Sequence, residues 1–221
     1  FWSAPILVVY AVCYTFMGFD MLMSLSPLWF STLWGGWLFA VMMQTLLASL
    51  LITLFIIKKT TVGNYIQRLQ FHDTGKLLHG FTIFFAYLTF AHVLTYWYGN
   101  VPEETEYFIH RLHAPWVYIV CIAPFFNFVI PLFAFLVKRF KWSPEAAIPL
   151  SSAILISQWF VYMLVVMPET GIEKFGFPWV EVSGAVLFGG LFVLTFTRFA
   201  EKNIMLPVAD PLLPDAYEEH H

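Results

Sequence analysis

Six apolar stretches, at about residues 1–19, 35–57, 76–98, 116–137, 146–167 and 181–199, leave this chain few ways to fold. Most reach the ~20 residues that an α-helix needs to cross a ~30 Å hydrocarbon layer at about 1.5 Å per residue. Threading them through a bilayer in alternation brings Lys58, Lys59, Arg68, Lys76, Lys138, Arg139, Lys141, Arg198 and Lys202 to one side. Of the 11 Lys and Arg residues, only Arg111 and Lys174 fall opposite. Cytoplasmic loops carry the excess of basic residues, so that side is expected to be cytoplasmic, with both visible ends on it. The expected fold is an all-α integral membrane protein, a bundle of about six transmembrane helices, with a cytoplasmic tail over 200–221.

Composition closes off the other classes. Hydrophobic residues make up 60% and charged residues 11%, where a soluble domain carries about a quarter charged. A β-barrel would alternate polar and apolar residues, and these runs are unbroken. The net charge is −3 and no basic patch is interleaved with aromatics, so no nucleic-acid partner is expected. Cys13 and Cys121 lie in different apolar stretches without any CxxC, which gives no support to covalent haem, iron–sulfur or structural zinc sites in this chain. The opening Phe1-Trp2-Ser3-Ala4-Pro5 lies inside an apolar stretch, as expected of part of a longer chain.

The connections carry further signals. Residues 21–34 are aromatic and sparsely charged, as in a short interfacial helix or loop. Residues 100–115 form the most polar stretch on their side, and Pro115 suits the first turn of the next helix. Pro124 and Pro131 predict kinks whose freed carbonyls need partners from neighbouring helices. Ser143-Pro144-Glu145 reads as a helix start. Glu103, Glu104, Glu106, Glu169 and Glu173 make one face acidic, suited to a basic partner or simply to solvent.

Ionisable groups within spans are costly in lipid and are functional hypotheses by default. The third stretch holds most of them, with His72, Asp73 and Lys76 at one end, His79 and Tyr87 within, and His92 and Tyr96 near the other end. Asp73, Lys76, His79, Tyr87 and His92 are therefore candidates for a proton pathway, since His titrates near neutral pH. The competing reading is an interfacial ion pair plus a histidine that only hydrogen-bonds. Gln44, Asn127 and Gln158 fall near the middle of their own spans, where interhelical hydrogen bonds explain them. No second span carries a His, and His79 and His92 are ~20 Å apart, so a haem housed by this chain alone is not expected. Nothing in the sequence places a nucleophile beside a base.

Two motifs carry a resemblance. FDMLMSLSPLWFST (Phe19 to Thr32) and HDTGKLLHGFTIFFAYLTFAHVLTYWYGNVPEET (His72 to Thr105) resemble two signatures of a membrane subunit of alternative complex III. That complex is the bacterial quinol:cytochrome c, or quinol:acceptor, oxidoreductase. The chain looks like the F-type member of its NrfD/polysulfide-reductase-like subunits. It corresponds to the carboxy-terminal half of a subunit with about ten helices of membrane-spanning length.

The resemblance implies a non-cofactor subunit in the bacterial inner membrane, with no redox centre of its own. Expected partners are the NrfD-like sister subunit, an iron–sulfur subunit, c-type cytochrome subunits and, further off, a terminal oxidase. Menaquinone or ubiquinone would serve the complex as a whole. Proton translocation or bracing of the assembly is the implied role. Residues carried over by motif are Asp20, Ser24, Pro27, Trp29, His72, Asp73, Lys76, Tyr87, Trp97, Tyr98, Glu103 and Glu104. Met21, Ser26 and Leu28 depart from the expected Trp, acid and His, which leaves the first motif less polar. A secondary transporter or channel, or a purely structural anchor for soluble redox subunits, are the rival readings.

Overall fold

In hydrocarbon, backbone N–H and C=O groups have no water to bond, so each apolar run must satisfy its own backbone as a helix. A computed structural model describes residues 2–60, 63, 66–171 and 179–203 of the chain. Among the described residues no strand occurs. The α-helices are α1 (Ser3–Met21), α2 (Trp34–Lys58), α3 (Arg68–Gly99), α4 (Pro102–Arg111), α5 (Trp116–Pro124), α6 (Ile130–Leu136), α7 (Lys138–Trp142), α8 (Pro144–Val166) and α9 (Trp179–Lys202). Six helical stretches are long and apolar enough to cross a membrane: Ser3–Leu25, Trp34–Lys58, Arg68–Gly99, Trp116–Leu136, Pro144–Thr170 and Trp179–Lys202. This is a multi-pass, all-α membrane protein.

Three features differ in detail from the expectation. Helix α3 begins at Arg68, eight residues before Lys76. Its first turns are amphipathic rather than apolar: Phe71 and Thr74 are buried, and the His72 ring stacks on Trp142 of α7 with centroids 4.2 Å apart. The polar connection after α3 folds as α4, with Pro102 in its first turn, Glu103 and Glu104 beside it, and His110 and Arg111 in the last turn. That arrangement complements the helix dipole at both ends. Asn100, at φ 45, supplies the reversal between the two helices.

The prolines do interrupt the fourth span, through a π-helical turn. Residues Phe125–Val129 form that turn, and the Ile130 N–H donates to the Phe125 carbonyl. Pro131 lacks the N–H that would otherwise bond to the Asn127 carbonyl. Ser143 precedes α8 in extended conformation without a side-chain cap, while Pro144 and Glu145 occupy the first turn as expected. Of the tail over 200–221, residues 204–221 lie outside the described residues, as do Glu173 and Lys174.

The chain divides into two units, residues 1–56 with 68–173, and residues 57–67 with 174–221. In the first unit, successive spans run antiparallel. The start of α2 meets the end of α3, where the Trp37 indole donates to Thr89 Oγ1 at 2.9 Å. Lys76, Lys138, Arg139 and Lys141 gather at one end, called the basic end below. Glu103, Glu104 and Glu106 lie at the other. The second unit contains α9, which opens with Glu181 in its first turn and closes with Lys202 in its last.

Helices α1 and α2 touch through glycines. The Trp34 indole donates to the Gly18 carbonyl at 3.2 Å. A Cβ on Gly35 would lie 2.9 Å from Thr15 Cβ, whereas one on Gly36 would meet only Leu88 at 3.7 Å. Gly35→Ala should therefore lower the thermal midpoint in detergent, because overpacking costs about 1–3 kcal/mol. Gly36→Ala should leave it unchanged or raise it, since Ala gains roughly 1 kcal/mol over Gly in a helix. Equal midpoints for the two variants would contradict this close approach.

Candidate functional site

Gln44 of α2 ties four spans together at mid-depth. Its Nε2 donates to Thr82 Oγ1 of α3 at 3.1 Å and to the Asn127 carbonyl at 2.8 Å, the carbonyl that Pro131 leaves free. Its Oε1 accepts from Gln158 Nε2 of α8 at 2.5 Å. Asn127 Nδ2 donates to Ser157 Oγ at 2.8 Å, and Ser157 passes its own proton to the Ala123 carbonyl at 3.2 Å. Thr82 donates to the Leu78 carbonyl at 2.8 Å. Gln44 uses both of its N–H bonds, while Asn127 and Gln158 each donate one, which orients all three carboxamides. Asn127 Oδ1 and Gln158 Oε1 are left without a donor. Gln44 and Asn127 are both 0% exposed, so the cluster sits fully inside the protein.

A second polar site lies toward the other end. His92 Nδ1 donates to the Leu88 carbonyl at 2.9 Å, which leaves Nε2 to accept from Ser31 Oγ at 2.8 Å in the neutral ring. Ser31 Oγ in turn accepts from the Leu33 N–H at 3.2 Å. The pair borders a cleft of ≈ 210 Å³ lined by Phe30, Ser31, Thr32, Leu33, His92, Thr95, Tyr96 and Glu104. Tyr96 donates its hydroxyl proton to the Phe30 carbonyl. Trp29, Trp34 and Trp37 ring the imidazole at centroid distances of 6.3–6.5 Å. A serine beside an imidazole is half of an acyl-transfer arrangement, in which a carboxylate holds the second ring nitrogen. Here a backbone carbonyl takes that position, and the pair is a hydrogen bond from a hydroxyl to a neutral ring.

Arg111 closes the same end. It is 5% exposed and donates to the Leu164 and Val165 carbonyls at 3.0 Å each, and to the Tyr107 carbonyl at 2.7 Å. It also pairs with Glu169 at 2.9 Å. Its guanidinium lies 3.4 Å from the Tyr107 ring centroid, and Trp29 stacks on Tyr107 with centroids 4.0 Å apart. The guanidinium thus caps the free carbonyls at the end of α8 and pins α4 onto it. Burial pushes the Tyr107 phenol up to about 12, opposed by Arg111 and reinforced by Glu169 and Tyr96.

The candidates read from the sequence fall into separate places. Lys76 and Asp73 pair at 3.6 Å at the basic end, and Asp73 lies 3.4 Å from His72. His79 is half-buried beside Phe135. Tyr87 is 64% exposed and points away from the interior. His79 and His92 lie about 140° apart around α3, so no single face joins them. Of the first motif, Trp29 is buried, while Asp20, Ser24 and Pro27 are exposed; Ser24 donates to the Asp20 carbonyl at 2.5 Å. Glu103 is exposed and Glu104 reaches the His92 cleft. Ser31 and Arg111 were not legible as site residues, although Arg111 stands one helical turn after Tyr107.

A comparison with known protein families finds no match, and no curated protein matches the chain.

Two outcomes follow. Gln44→Leu strands the Asn127 carbonyl and the Gln158 carboxamide, so unfolding in detergent should lose about 2 kcal/mol or more. Gln158→Leu removes an unpaired oxygen and strands only Gln44 Oε1, so it should lose less, about 1 kcal/mol. Equal losses would contradict a hub at Gln44. Separately, the folded protein holds the Tyr107 proton more tightly than the unfolded chain does near the ordinary value of 10. Its contribution is full below pH 10 and is lost as pH rises toward about 12. Thermal melts across that window should show a steeper fall for the native protein than for Tyr107→Phe; parallel curves would contradict the buried phenol.

Proposed function

We propose that this chain is a membrane subunit of a respiratory quinol oxidoreductase of the alternative complex III type, supporting quinol-to-acceptor electron transfer and moving protons through its own interior. The supporting observation is the buried face of α3. Thr74, Thr82, His92 and Tyr96 line it over most of its length, and Thr82, His92 and Tyr96 bond to partners from α2 or the loop before α2. A single helix seldom carries so much buried polarity in a membrane unless the groups serve a pathway. The two motifs supply the link to quinol chemistry. The basic end is the cytoplasmic side by charge asymmetry, in a bacterial inner membrane.

Partner subunits hold the c-type haems and iron–sulfur clusters in this reading, with menaquinone or ubiquinone as the membrane substrate. Asp73, Lys76 and His79 stand at the entry and His92 near the exit. Tyr87 belongs to a lipid- or partner-facing surface instead. The interrupted fourth span, with Pro124, Pro131 and the π turn, is the feature that favours a transporter or channel as the second reading.

The test is the proton-to-electron stoichiometry of the complex in vesicles. Replacing Asp73 and His79 by apolar residues, or His92 by Phe, should lower that ratio while the assembled complex still forms. An unchanged ratio in all three variants would leave the chain as an anchor. Substrate uptake by the purified chain alone would favour the transporter.

A further inference from the structure

We infer that water enters the first unit from its basic end and reaches mid-depth, ending on the carboxamide oxygens of Asn127 and Gln158. The observation is the distribution of buried polar atoms that have no partner. Among the described residues these are His79 Nδ1, Ser151 Oγ, Asn127 Oδ1, Gln158 Oε1 and Trp29 Nε1; His72 Nδ1 makes no hydrogen bond but faces the Asp73 carboxylate at 3.4 Å. All but the Trp29 atom lie between the basic end and the centre. His72 and His79 are seven residues apart on one face of α3, and Ser151 and Gln158 are seven apart on one face of α8. Helix α3 packs on α6, on α8 and on the π turn, and both α6 and α8 pack on the π turn, which sets both rows on one group of neighbouring helices.

The occupant follows from the chemistry of the ends. Each carboxamide is oriented by an N–H bond, and its oxygen, as a carbonyl, can only accept. A cation at this depth would need a counter-charge, and none of the residues in the central cluster is ionisable. A neutral donor of small size remains, which is water with two to four polar partners. Backbone outside regular α-helix at membrane depth, as in Phe125–Val129, is tolerated where it borders protein or water.

Between the cluster and the Ser31–His92 pair the packing is dominated by apolar side chains. Trp37, Phe85, Leu88 and Val161 are buried together in the aromatic core. The path is therefore open on one side only. This inference stands independently of the respiratory reading; under that reading it supplies the proton's entry.

Substituted-cysteine labelling in sealed membrane vesicles tests it. Cys13 and Cys121, both exposed, are first replaced by Ala. Cysteine is then placed at Ala147, Ser151, Val161 or lipid-facing Ile156, and a small charged methanethiosulfonate is applied from the basic side. A thiol reacts as the thiolate, which forms only where water reaches it. Ala147→Cys and Ser151→Cys should label at least about tenfold faster than Val161→Cys and Ile156→Cys. Labelling of Ser151→Cys no faster than Ile156→Cys overturns the inference. Faster labelling from the opposite side overturns it too. The assay needs no turnover, so its failure is distinct from a failure of the proton stoichiometry test.

Discussion

The Gln44 side chain satisfies what the rest of the first unit leaves open. Pro131 removes one backbone donor in the middle of a span, and the freed Asn127 carbonyl has no water to turn to. Gln44 supplies the missing N–H at 2.8 Å and holds Thr82 and Gln158 with its remaining atoms. One side chain thereby sets the depth at which α2, α3, α8 and the π turn meet. Lipid tails are as apolar as Leu, so hydrophobic burial alone would not fix that register.

The two ends of the unit are built differently. Toward the acidic side, Trp29 Nε1 alone among the described residues is buried without a partner, and the other groups are paired: Ser31 with His92, Arg111 with Glu169 and three carbonyls, Tyr96 with Phe30. The Trp29–Tyr107–Arg111 stack binds the first motif to α4 and α4 to the end of α8. Toward the basic side, several buried polar atoms lack a protein partner. A tight end facing a loosely satisfied one is the asymmetry that a one-sided entry into the membrane interior would require.

Much of the fold was legible because hydrophobic length acts over whole segments. All six spans were found within a few residues, apart from the start of α3. There, Arg68 to Gly75 is too polar to register as membrane helix, yet its amphipathic turns pack on α7. The site was less legible. Gln44, Asn127 and Gln158 could each be placed near a midplane, but only the fold shows that they share one network. Tyr87 stood among the candidates in the sequence, yet five residues, or about 140° of helix, separate its exposed ring from the buried Thr82 hydroxyl. Ser31 and Arg111 depend on contacts across 61 and 54 residues, which no local pattern encodes.

The proposed function joins this interior to two motifs that resemble those of a quinol oxidoreductase subunit, and the company the protein keeps is the direct test. Extraction from native membranes in mild detergent, with identification of co-purifying chains and a visible spectrum, measures that. The account predicts multihaem c-type and iron–sulfur partners with a reducible haem spectrum. A colourless protein that purifies alone would contradict it.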